Sequence, residues 1–191
     1  MAPRTAEQYE KIRLDKQKLI LDTALELFAN EGYYPTSISK IATAAGISKG
    51  LIFHYFKSKD DIIRIIILQG IKDLAALFDP NKDGVLTKDE IRYFIEEVFK
   101  TVMRDRHFWK LYFMTFMQPP VLKLVERPFN KLLHNSMDML VDYFQRQGYD
   151  DPRTEAVLLG AILDGISFHF VMNPENFPSD QVKERIIKMY S

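Results

Sequence analysis

The stretch from residue 36 to residue 59 constrains the fold of this chain more than any other part of the sequence. Its apolar spacing predicts a first short helix over 37–45, which Gly46 ends because glycine adopts left-handed backbone angles at little cost. A second short helix is predicted over 49–55, with Ser48 as its N-cap. Two helices across so short a turn are typical of a helix-turn-helix, whose second helix usually lies in the major groove of DNA.

The distribution of charged residues along the chain supports a DNA-binding helix-turn-helix, although the net charge of the chain does not. The 26 basic and 26 acidic residues give a net charge of zero, which by itself argues against a nucleic-acid-binding protein. Residues 32–59, however, contain Lys40, Lys49, Lys57 and Lys59 and no Asp or Glu. A basic surface confined to the predicted helix-turn-helix is the electrostatic footprint of a compact DNA-binding domain, so we expect double-stranded DNA as a partner.

Individual contacts follow from the docking geometry of a recognition helix. Its N-terminal residues reach base edges, so we assign Lys49 to guanine and Leu51 to a thymine methyl, with Gly50 allowing close approach of the backbone. Ile52, Phe53 and Phe56 are expected to point inward. Thr36 is predicted to be the N-cap of the first helix. The remaining predicted DNA contacts are Thr36, Ser37, Ser48, His54, Tyr55, Lys57 and Lys59.

The segment Gly46 to Ile62, GISKGLIFHYFKSKDDI, resembles the signature of the tetracycline-repressor (TetR) family. The upstream ALELF at 24–28 and EGY at 31–33 also resemble that family's first helix and the turn after it. The resemblance covers roughly the first third of the chain. One departure is Phe53, which stands where the family most often has tyrosine, so a phosphate contact from that hydroxyl is absent. The resemblance implies a transcriptional regulator, most often a repressor, that releases its operator when a small molecule binds.

The helical pattern predicts an all-α fold of about nine helices in two domains. Residues 1–57 form the expected helix-turn-helix DNA-binding domain, and residues 58–191 form a helical effector-binding and dimerisation domain. The resemblance implies that the helices at 152–172 and 179–190 build a homodimer, which would read a pseudo-palindromic operator. The predicted helices span 6–30, 37–45, 49–55, 58–78, 90–104, 108–117, 152–172 and 179–190, and 121–148 is predicted to hold one or two helices split near Pro128.

An apolar effector pocket between helices is a further expectation. Aromatic and methionine side chains at helical spacing are also typical of an ordinary core, so both interpretations stay open. The identity of an effector cannot be read from these residues beyond a hydrophobic or aromatic character. The candidate lining residues are Trp109, Tyr112, Phe113, Phe116, Phe129, Met137 and Phe168.

The segment DPNKDGVLTKDE at 79–90 resembles the calcium loop of an EF-hand. The same residues also suit a turn followed by a capping box from Thr87 to Glu90, and no second loop of this kind occurs in the sequence. Calcium binding by this loop is therefore the alternative to a plain turn. A calcium-responsive regulator is correspondingly the alternative to a repressor released by a small molecule. The candidate ligands are Asp79, Asn81, Asp83, Val85, Thr87 and Glu90.

Other classes of protein receive less support. The absence of cysteine excludes disulfides and thiolate chemistry, and no nucleophile elbow, phosphate loop or paired-histidine metal spacing favours an enzyme. We therefore expect no catalytic residues and no required cofactor. The N-terminus is polar, and the most apolar run, 62–77, is interrupted by charges. Both features favour a cytoplasmic protein without a membrane span.

Overall fold

The computed structural model describes residues 5–191, which form nine α-helices and one 3₁₀ turn and contain no β-strand. The predicted all-α class is confirmed. The helices are α1 (Ala6–Glu31), α2 (Ile38–Ala44), α3 (Lys49–Tyr55), α4 (Lys59–Ala75), α5 (Lys88–Arg104), α6 (Arg106–Phe116), α7 (Pro119–Arg146), α8 (Pro152–Met172) and α9 (Ser179–Tyr190).

The chain divides into two compact units. The first comprises the chain up to Ile67 together with Met114–Val125. In it α1 packs on α2 and α2 packs on α3. Burial of its apolar side chains stabilises the short helices α2 and α3, which at seven residues each would not persist alone. The buried apolar residues of this unit include Ile20, Ala24, Leu25, Phe28, Ile41, Ile52, Phe56, Ile62, Ile63, Val121 and Val125.

The second unit comprises Leu68–Phe113 and Glu126–Ser191. In it α5 packs against α8 and α9 around one continuous cluster of apolar side chains. The Tyr143 hydroxyl donates a 2.7 Å hydrogen bond to the carbonyl of Tyr190 and so fixes the end of α9. The buried residues of this cluster include Phe78, Leu86, Ile91, Ile95, Phe99, Leu140, Phe144, Leu159, Leu163 and Ile186.

Helices α4, α6 and α7 each have residues in both units. The compact units therefore do not divide at residue 58, and the functional boundary predicted there stays a prediction. Helix α7 runs without interruption through Pro128, so the predicted break is wrong. An internal proline removes one backbone hydrogen bond and strains the helix locally, and here the helix continues despite that cost.

Helix α8 is apolar on more than the side that faces the core. By length and composition alone it could cross a membrane, but only 22% of its apolar window is buried. Val157, Leu158, Phe168 and Met172 of α8 are exposed, whereas Leu159 and Leu163 belong to the core cluster. A helix that packs on its own core with one face and on a second chain with the opposite face is also apolar on both sides, as a membrane-spanning helix is.

Candidate nucleic-acid interface

The start of α2 differs from the prediction. Ser37 is the N-cap, and its hydroxyl accepts a 3.2 Å hydrogen bond from the Lys40 N–H. Thr36 is fully buried, and its hydroxyl donates to the carbonyl of Gly32 at 2.8 Å. The predicted N-cap was therefore wrong by one residue. The Thr36 side chain is also not available to a phosphate, because it ties the turn after α1 to the beginning of α2.

The turn between α2 and α3 has the structure that the sequence predicts. Gly46 has a φ of +65°, and the N–H groups of Gly46 and Ile47 bond the last carbonyls of α2. The Ser48 hydroxyl accepts from the Leu51 N–H at 3.2 Å, so Ser48 is the N-cap of α3 as predicted. These local bonds fix the angle at which the recognition helix leaves the turn.

The face of α3 that points outward carries Lys49, Gly50, Phe53 and His54. Ile52 is fully buried and anchors the opposite face. The inward prediction for Phe53 is wrong, because half of its surface is exposed and the Lys49 ammonium lies 5.8 Å from its ring centroid. Residues 49 and 53 are separated by about one helical turn, which places them on the same face. That spacing was the signal that the assignment by hydrophobicity missed.

The remaining predicted contact residues surround this face. Leu51 and Tyr55 are half-buried, and the Tyr55 ring packs edge-on against His54 at 5.1 Å between centroids. Ser37, Ser48 and Lys57 are exposed. Together with Lys49, Gly50 and His54 they leave α3 and its flanks open to a large anionic partner.

Two of the four lysines in the basic stretch are engaged within the first unit. Lys40 forms an ion pair with Glu31. The Lys59 ammonium donates to the carbonyl of Tyr33 at 2.7 Å and lies 4.2 Å from the centre of that ring. Burial lowers the pKa of Lys59. The exposed positive charge on this surface therefore comes mainly from Lys49 and Lys57.

The loop at 79–90 has the hydrogen bonds of a turn and a capping box. The Glu90 carboxylate accepts from both the N–H and the hydroxyl of Thr87, at 2.9 Å each, and starts α5. Asp79 accepts from the Gly84 N–H, while its second oxygen is buried without a hydrogen-bond partner. Among residues 5–191 no group of three or more His, Asp or Glu side chains is arranged to hold a metal ion. The calcium alternative is not supported.

The predicted pocket residues are only partly brought together. Trp109 and Tyr112 are each 4% exposed and pack against the Phe113 ring, which lies 6.3 Å from that of Phe168 on α8. Burial raises the pKa of the Tyr112 hydroxyl, and the charge of Asp164 raises it further. Phe116 belongs to the first compact unit, so the predicted set is divided. Phe129 and Met137 are part-buried.

A small apolar cleft in the second unit contains none of these residues. It is lined by Phe99, Val102, Met103, Ile166, Ser167 and Phe170. Tyr112 also lies against α4, where a Cβ at Gly70 would come within 2.6 Å of its ring. The Tyr112 ring therefore lies close against α4, and the effector pocket at Trp109, Tyr112 and Phe113 stays a prediction.

Similar proteins place this architecture among known regulators. The chain is 27% identical over 181 residues to the HTH-type transcriptional regulator BetI 1 of Chromohalobacter salexigens, covering 88% of this chain and 85% of that one. The fold matches a putative transcriptional regulator from Pseudomonas aeruginosa PAO1 with a TM-score of 0.75 and 20% identity, over 93% and 89% of the two chains. It also matches FadR from Bacillus subtilis in complex with stearoyl-CoA, with a TM-score of 0.69 and 21% identity, over 91% and 96%.

The fold and the exposed face of α3 thus define a DNA-binding transcriptional regulator. Residues 20–65 match the family model described as bacterial regulatory proteins, tetR family. The match covers the helix-turn-helix segment in the first third of the chain, so this segment is similar to the DNA-binding domain of that family. The named relative is likewise a transcriptional regulator.

Proposed function

We propose that this protein is a cytoplasmic repressor that binds a pseudo-palindromic operator as a homodimer and releases it when a small hydrophobic or aromatic molecule binds. The observation that carries the proposal is the exposed face of α3, on which Lys49 and Phe53 stand side by side while Ile52 anchors the helix from behind. Residues 1–57 form the DNA-binding domain, and residues 58–191 bind the effector and the second protomer of the dimer.

The exposed apolar surface of α8 and α9 supports the homodimer. Val157, Leu158 and Met172 on α8, and Met189 on α9, are each at least 43% exposed. Burying such side chains against a symmetric copy removes apolar surface from water at about 25 cal/mol per Å². A symmetric pair of recognition helices then reads two half-sites about 34–36 Å apart.

The contacts to DNA divide by position. Lys49 and Gly50 lie at the start of α3 and reach base edges, and Leu51 and Phe53 supply apolar contacts to thymine methyl groups. The sugar–phosphate contacts come from Ser37, Ser48, His54, Tyr55 and Lys57. Lys59 is assigned to the Tyr33 carbonyl that it already contacts, and Thr36 is assigned no DNA contact because it is buried.

Selection of bound DNA from a random pool tests the proposed function. We expect an enriched pseudo-palindrome that the purified protein protects from cleavage as two half-sites one helical turn apart. Failure to enrich any duplex sequence, with the protein folded and dimeric, would remove the proposal.

Removing one thymine methyl should identify the base that Phe53 contacts. On the selected operator, each thymine is replaced in turn by deoxyuridine, which lacks only the methyl group. At the contacted position we expect about a fourfold loss of affinity, because burial of one such carbon contributes about 0.8 kcal/mol. The same exchange should have no effect when the protein is Phe53→Ala. If Phe53→Ala is equally sensitive to deoxyuridine at every position, then Phe53 reads no thymine.

The single tryptophan offers a direct test of the effector site. Trp109 is buried against Tyr112 and Phe113, so a ligand that enters between these rings should change its fluorescence. We expect stearoyl-CoA, the ligand present in the FadR structure, to change Trp109 emission and to release operator DNA, and coenzyme A without the acyl chain to do neither. Release of DNA by both compounds would show that the apolar chain is not what the site recognises.

A further inference from the structure

The turn that follows α1 is held by hydrogen bonds to every polar group of one residue. Tyr33, which is 5% exposed, donates its N–H to the side-chain oxygen of Gln118 at 2.8 Å and accepts from Lys59 at its carbonyl. Its hydroxyl donates to Asp60. Burial, and then the bond to Asp60, raise the pKa of Tyr33, so the hydroxyl stays a donor throughout the physiological range. Lys59 and Asp60 come from the start of α4, whereas Gln118 comes from a segment 85 residues away.

Gln118 stands at the junction of three helices. Its side-chain nitrogen donates to the carbonyl of Phe28 at 2.7 Å, in the last turn of α1, while its oxygen accepts from Tyr33. Its backbone N–H bonds the last turn of α6, and its carbonyl accepts from Val121 in the first turn of α7. A single carboxamide therefore closes the end of α1 and fixes the turn after it, using both its donor and its acceptor.

The path from this junction to the recognition helix is short. Tyr33 precedes Thr36, whose hydroxyl bonds the Gly32 carbonyl within the same turn. Ser37 then caps α2, which packs on α3. The turn thus sets where α2 begins, and α2 in turn supports the face that carries Lys49.

We propose that Gln118 is a positioning residue for DNA binding, which holds the 32–34 turn, and through it α2 and α3, in the orientation that reads the operator. This inference rests on the proposed DNA-binding function. Gln118 touches no DNA and acts only through the turn.

Gln118→Ala tests the proposal with two measurements. We expect operator affinity to fall about tenfold at a temperature well below unfolding. We also expect faster amide hydrogen exchange at Tyr33 and in the first turn of α2 in the free protein. Gln118→Glu keeps an oxygen for the Tyr33 N–H but loses the donor to Phe28, so exchange at Tyr33 should stay slow while that at the end of α1 rises.

Val125→Ala is the matched control, because Val125 is 1% exposed in the same unit and its loss creates a cavity without touching the turn. This variant should lower stability and leave operator affinity and Tyr33 exchange unchanged. Equal weakening of operator binding by Val125→Ala and Gln118→Ala, or wild-type exchange at Tyr33 in Gln118→Ala, would overturn the proposal. Amide exchange is measured without DNA, so it tests whether Gln118 holds the 32–34 turn even if the proposed DNA-binding function fails.

Discussion

Val157→Glu is expected to convert the dimer into a monomer and to lower operator affinity by more than about a hundredfold. Val157 is 53% exposed in the isolated chain and belongs to the apolar face of α8 proposed to meet a second copy. A carboxylate there would be buried without a partner, at a cost of several kcal/mol. Joining two DNA-binding units raises affinity by a factor of roughly 10²–10⁴ over one, and that gain would be lost.

Sedimentation and operator titration measure this effect together. Tyr93→Glu is the control, since Tyr93 is 40% exposed on α5, a helix outside the proposed interface, and the exchange introduces the same charge. This control should remain a dimer and bind DNA normally. A Val157→Glu protein that stays dimeric would place the interface on another surface.

Lys49→Ala is expected to cause the second largest loss of operator affinity, and to do so by removing a base contact and not by disrupting the dimer. A good side-chain contact to a base edge contributes about 1–3 kcal/mol of discrimination, so affinity for the selected operator should fall by roughly five- to 150-fold. The loss should be confined to sequences that keep the contacted guanine, because the side chain discriminates between bases. Binding to unrelated duplexes should change little.

Lys57→Ala provides the comparison on the same surface. As an exposed phosphate contact, Lys57 should contribute equally to all sequences, and its removal should reduce the slope of log affinity against log salt by about one unit. Lys59 is unsuitable for this comparison because its ammonium already contacts Tyr33. Equal loss on specific and unrelated DNA from Lys49→Ala would contradict the division between base and phosphate contacts.

The features predicted from sequence were those set by local chemistry. Gly46 and Ser48 were predicted correctly, since a positive φ and an N-cap depend on neighbours within four residues. Thr36 and Ser37 are both good N-caps, and only the burial of Thr36 against the preceding turn decides between them. The loop at 79–90 had the same ambiguity between ligands and caps; in the structure Glu90 bonds Thr87 as a cap, and calcium binding is not supported.

The features that were missed depend on contacts distant in sequence. Nothing near Gln118 indicates that its side chain bonds the end of α1, because its partners Phe28 and Tyr33 lie 90 and 85 residues earlier. Phe53 was placed inward because it is apolar, although a short helix with one buried face leaves its other positions exposed whatever their hydrophobicity. The compact units likewise depend on how α6 and α7 pack, which their periodicity does not specify.

The engagement of Lys40 by Glu31 and of Lys59 by Tyr33 has a consequence for how the protein finds its target in a genome. Weak attraction to arbitrary duplex scales with the number of cations free to displace counterions, and this surface keeps few of them. We therefore expect weak and only mildly salt-dependent binding of this surface to unrelated duplexes. We then expect less of the protein to be held on chromosomal DNA away from its operator.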